Sequence, residues 1–138
     1  MHNVTGKKIQ FLLHIYNYYP LYIIYQLGTY LKRLIKKSPS NNSQEPKYVY
    51  AVHGSFLIFT KYFFEKGNTL TFPAFMYSEE LFIAEQCLNT QSKIYYNANL
   101  KVFHSEHSTS GFFKNKQHLA WLKQSLSYIF HTYYKHGN

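Results

Sequence analysis

The chain contains no aspartate: its six acidic residues are Glu45, Glu65, Glu79, Glu80, Glu85 and Glu106. That absence excludes a Ser-His-Asp triad, an aspartic dyad, an EF-hand loop and any DxD clamp on a metal-bound nucleotide. Cysteine is nearly absent too. Cys87 stands alone, so there is no internal disulfide framework and no cysteine-based structural zinc site; the low cysteine count fits a reducing compartment. Long apolar runs are also lacking. The richest stretch, Phe11 to Ile35, is broken by His14, Asn17, Pro20, Gln26 and Gly28, and it falls short of the roughly 18 consecutive apolar residues of a spanning helix. Its polar interior and the lack of a small-residue cleavage site argue equally against a secretory signal. No segment repeats at a fixed period.

What is present is a basic, aromatic chain of 138 residues, with 15 Lys+Arg, a net charge of +9, 46% apolar and 20% aromatic residues. The length suits one domain burying about two thirds of its unfolded surface, and the apolar content is enough to offset the entropy of ordering. The charge favours anionic partners such as phosphate-bearing ligands or an acidic membrane face. The abundance of Lys, Asn, Tyr, Ile and Phe is equally what A/T-rich coding would produce, and both readings stay open.

Pattern divides the chain into four. Residues 1–37 read as an amphipathic helical segment. Pro20 starts or kinks a helix because it lacks a donor N–H. Beyond it Leu21, Ile24, Leu27, Leu31, Leu34 and Ile35 recur at three- and four-residue steps on one face. Lys32, Arg33, Lys36 and Lys37 close that helix, where cations suit the dipole. Residues 38–47, rich in Ser, Asn and Pro, read as a linker.

Residues 48–111 change character. Tyr48–Val52 and Phe56–Phe59 read as strands, the second buried. Thr60 is placed to cap a short helix, Lys61 to Lys66, that Gly67 ends. Ser78 is placed to cap a helix carrying Glu79 and Glu80 in its first turn and an apolar periodic body to Leu88. Lys93–Tyr96 and Lys101–His104 read as two short strands. Residues 112–138 hold a last amphipathic helix, with Leu119, Leu122, Leu126, Ile129 and Phe130 on its apolar positions. The fold class is therefore α/β.

Three places carry chemistry. The Glu79–Glu80 pair complements a helix dipole and by itself needs no other role; a carboxylate at a cleft edge is also what a general base requires. His104 ends a strand, near Glu106 and His107, where α/β proteins build sites. Those three alone do not make a metal site, since alternate strand positions point to opposite faces. His53-Gly54-Ser55 supplies a glycine that permits a turn or a close approach.

The order Val52-His53-Gly54-Ser55-Phe56-Leu57-Ile58-Phe59, then Phe75-Met76-Tyr77-Ser78-Glu79-Glu80, then Lys93-Ile94-Tyr95-Tyr96 and Lys101-Val102-Phe103-His104-Ser105-Glu106 resembles the C-terminal half of family 2 glycosyltransferases, above all bacterial enzymes of surface-polysaccharide biosynthesis. The resemblance implies a partial GT-A-like sheet with flanking helices and inverting transfer from a nucleotide-sugar to a saccharide or lipid-linked acceptor. It implies Glu80 as the base on the acceptor hydroxyl and Glu79 as its catalytic neighbour. Gly54 and Tyr77 would bind the acceptor, and His104 would hold a divalent metal (Mg or Mn) with the donor diphosphate. Departures accompany it. Glu80 and Phe82 stand where some members carry two aspartates, Gln86 stands where an arginine is frequent, and the nucleotide-binding half with its DxD motif has no counterpart. The expectation is a fragment that is inactive alone, cytoplasmic or at the inner face of the membrane. The competing expectation is a basic, non-enzymatic protein in peripheral membrane contact through residues 11–37. Nucleic-acid binding ranks last, because Lys and Tyr are scattered rather than gathered in a known module.

Overall fold

The computed structural model describes residues 2–35, 45–54, 56–103 and 116–135. In chain order they form α1 (His2–Asn17), α2 (Tyr19–Ile35), β1 (Lys47–Val49), α3 (Lys61–Glu65), α4 (Glu79–Asn89), β2 (Ile94–Tyr96) and α5 (Lys116–Tyr133). The architecture mixes helices with one small antiparallel sheet, and helix dominates.

Pro20 starts a helix rather than kinking one. α1 stops at Asn17, Tyr18 breaks the run, and Pro20 sits in the first turn of α2, where a missing N–H costs nothing. The two helices reverse on each other, and α1 also packs along α5. The core is accordingly helical: Ile9, Ile15 and Tyr16 of α1, Tyr22 of α2, Phe82 of α4, and Leu119, Leu126 and Ile129 of α5. Residues from both ends of the chain thus share one core. At the contact of α1 with the end of α5, Gly6 lies so close to Tyr134 that a Cβ there would stand 2.8 Å from its Cδ1.

β1 and β2 pair antiparallel with Lys47 opposite Tyr96, Tyr48 opposite Tyr95 and Val49 opposite Ile94. The Tyr48 and Tyr95 rings meet across the strands at 5.3 Å, the kind of aromatic pair that stabilises a short ladder. Lys93 Nζ lies 5.2 Å from the centre of the Tyr48 ring.

Several expected elements come out differently. The first strand pairs only over Lys47–Val49, not through Val52. Phe56–Phe59 is neither strand nor buried: Phe56 is 51% and Ile58 68% exposed, because no described strand lies beside it to complete the ladder. The segment 101–103 is likewise unpaired and exposed. The helix after Thr60 ends at Glu65, one residue earlier than expected, with Lys66 as its cap; Gly67 follows, its φ of +81° suiting glycine and its N–H donating to the Phe64 carbonyl at 2.9 Å. Neither Thr60 nor Ser78 makes a side-chain cap bond. The linker falls mostly outside the described residues, as does His104.

Candidate functional site

α4 works on two faces, and the helical period assigns them. Glu80, Ile83 and Cys87 follow one another along one face and line an open groove of about 760 Å³, whose other walls come from residues within 49–53, 56–63 and 92–102. Phe82 and Glu85 face inward. The volume lies within the range of small-molecule clefts.

The approach to α4 is unusual. Tyr77 and Ser78 both hold positive φ, 71° and 65°, a left-handed conformation that costs a side-chain-bearing residue about 1–2 kcal/mol. The turn is held in two ways. The Tyr77 N–H donates to Glu79 Oε1 at 3.0 Å, and the Ser78 carbonyl accepts from the N–H groups of Leu81 and Phe82. Glu79 is thereby committed to the backbone just ahead of it, while Glu80 projects to the groove. Strained backbone next to a carboxylate on a cleft wall is a pattern of functional sites.

Gly54 lies beside the Glu80 carboxylate. A Cβ built on Gly54 would lie 3.6 Å from Glu80 Oε2, an ordinary contact. Among the described glycines only Gly67 has positive φ, so Gly54 is not needed for a left-handed turn; its placement beside the carboxylate is the feature that stands out. His53, next to it, is exposed and lines the groove. Aromatic and aliphatic side chains complete the walls, with Phe56 and Tyr95 roughly half exposed.

The five residues singled out from sequence therefore divide. Gly54 and Glu80 come together, and Glu80 lines the groove. Glu79 supports the turn. Tyr77 is half-buried with its ring 4.6 Å from that of His118, and it does not line the groove. His104 lies outside the described residues. A divalent cation finds no cluster here: among the described residues, no three His, Cys or Glu side chains gather to hold one. Cys87, whose thiol burial pushes above its ordinary pKa, is a poor nucleophile in this position.

A second set of polar residues escaped sequence reasoning. Glu85 is fully buried, and its Oε1 accepts hydrogen bonds from the hydroxyls of Tyr50 and Tyr134, which lie 3.3 Å from each other. Burial, followed by the bond to Glu85, raises the Tyr50 pKa to about 12 and drives that of Tyr134 upward. This cluster ties the residue after β1 and the end of α5 to α4. Beside it, Gln86 grips Thr69 with a pair of bonds, accepting from its N–H at 2.8 Å and donating to its carbonyl at 2.9 Å. The available signal was an acid three residues after Phe82, on the inward stripe of an apolar helix. Its partners, 35 and 49 residues away, carried none.

No family model matches the chain, and neither a curated protein nor a solved structure does. Among the described residues no helix is long and apolar enough to cross a membrane.

Proposed function

We propose that the chain is the acceptor-side portion of an inverting glycosyltransferase, with Glu80 as the base. The observation that carries this reading is that Glu80 lines a groove with His53, Phe56 and Lys93 to Tyr96, while Gly54 lies beside its carboxylate. Three motif segments that resemble family 2 glycosyltransferases thus converge on one cleft. Near Glu80 Oε2 an acceptor hydroxyl would find a carboxylate able to take its proton as the oxygen attacks the anomeric carbon of a nucleotide-sugar and the nucleotide diphosphate departs. Phe56 and Tyr95 offer apolar faces to a sugar ring. His53 lies on the same wall. Glu79 acts through the turn, fixing the backbone from which Glu80 projects.

The chain has no aspartate with which to build a DxD clamp on the donor, so the isolated chain is expected to transfer no sugar. Backbone NMR during titration with neutral oligosaccharides tests the acceptor groove. Shifts should concentrate at His53, Gly54 and Glu80 and vanish in Glu80→Ala. Shifts confined to other surfaces, or none across a broad oligosaccharide panel, would remove the groove from consideration. Turnover of a UDP- or dTDP-sugar by the purified chain would overturn the claim that it is inactive alone.

A further inference from the structure

α2 is packed with its polar-aromatic side inward. Tyr22 is fully buried, its hydroxyl 3.2 Å from Nδ1 of His118 on α5, and Tyr25, Gln26 and Thr29 on the same side are partly buried. The aliphatic stripe faces the other way. Leu21, Ile24, Leu27, Leu31 and Ile35, spaced by three and four residues along one face, are 42, 66, 59, 50 and 84% exposed. Tyr19 and Tyr30 flank that stripe, both exposed. A contiguous apolar strip of this kind on a monomer marks a contact surface.

The charge around it says what the contact is. The sequence from Met1 to Gln44 contains no acidic residue. Lys116 Nζ sits 5.7 Å from the ring of Tyr19 at the start of α2. The exposed Lys32 borders the stripe near its end, and Arg33, Lys36 and Lys37 follow in sequence. Two copies of such a helix would set like charges against each other, whereas anionic lipid headgroups would complement both ends. At 17 residues the helix suits a position in the plane of the interface, its aliphatic side among acyl chains and its cations at headgroup level.

We propose that the outer face of α2 is a docking surface for an anionic lipid bilayer, with Leu21, Ile24, Leu27, Leu31 and Ile35 inserted and Lys32 and Lys116 at the headgroups. The inference rests on the packing of α2 and is independent of the glycosyltransferase reading. The test is flotation of the full chain with vesicles of phosphatidylcholine containing 30 mol% phosphatidylglycerol, set against pure phosphatidylcholine, at about 0.1 M salt. The chain should float with the anionic vesicles and bind pure phosphatidylcholine about tenfold or more weakly. The triple variant Ile24→Ser, Leu27→Ser, Leu31→Ser should lose at least about tenfold of the anionic binding with unchanged helix content by circular dichroism, because those side chains touch no core. Lys32→Glu combined with Arg33→Glu should weaken binding comparably and provides an independent arm should the triple variant lose helix. Equal flotation with both vesicle types, flotation with neither, or unchanged binding by the charge variant overturns the proposal. So does a dimer in sedimentation velocity that the triple variant abolishes, which would assign the face to a second copy.

Discussion

Replacing Glu85 by alanine removes the acceptor shared by Tyr50 and Tyr134. A buried donor left without its acceptor costs about 1–3 kcal/mol, so the two hydroxyls amount to roughly 2–6 kcal/mol gross. Removing the carboxylate also relieves the cost of burying it, which brings the expected net loss to about 3 kcal/mol. That is a large share of the 5–15 kcal/mol typical of a domain. Glu85→Gln keeps an acceptor and should lose about 1–2 kcal/mol; Tyr50→Phe should lose a similar amount. Urea unfolding followed by circular dichroism reads this directly. At an m-value of about 2 kcal/mol/M, Glu85→Ala should lower the midpoint by about 1.5 M. Glu85 and Tyr50 should be coupled by about 1 kcal/mol in a double-mutant cycle. Glu80→Ala, five residues earlier on the groove face, should stay within about 0.5 kcal/mol of the parent. A Glu85→Ala loss below about 0.5 kcal/mol, or strict additivity with Tyr50→Phe, refutes the network as a structural tie. Equal losses for Glu80→Ala and Glu85→Ala refute the division of α4 into a groove face and a core face.

Gly6→Ala tests the seam between α1 and α5. Alanine is the better helix former by about 1 kcal/mol, yet its Cβ would press on the Tyr134 ring, whose hydroxyl is tied to Glu85. A net destabilisation of about 1–2 kcal/mol by urea unfolding is expected, and a stabilised Gly6→Ala would show that the contact is absent. The alkaline limb of stability should follow the tyrosines. Tyr16, Tyr50 and Tyr133 have pKa values raised to about 12, chiefly by burial. A folded-state pKa above the unfolded value near 10 means a stabilising contribution fully present below about pH 10 and lost as pH rises through about 12. Absorbance at 295 nm should show a tyrosine group whose ionisation is delayed toward about pH 12 and accompanies the loss of helix. All 15 tyrosines titrating near pH 10 with the fold intact would contradict the burial assigned to these three.

Local pattern determined the helices, because a helix is settled by residues three and four apart. Pro20 marked where α2 begins, Gly67 where the short helix ends, and Glu79 and Glu80 the first turn of α4. The same period told which residues share a face, and so set Glu80 with Ile83 and Cys87. It did not tell which way a face turns. The stripe from Leu21 to Ile35 has the spacing of a core face, yet it looks outward because Tyr22 anchors on His118, 96 positions away. Phe56–Phe59 has the composition of a buried strand. A strand, however, is completed by a neighbour's backbone, and no described residues supply one. Glu85 counted as one more position in an apolar helix until Tyr50 and Tyr134 closed over it. The absence of aspartate, visible in the sequence alone, excluded whole classes of site. Only the tertiary structure brought Gly54 against Glu80, because burial and contact depend on partners far along the chain that no local window contains.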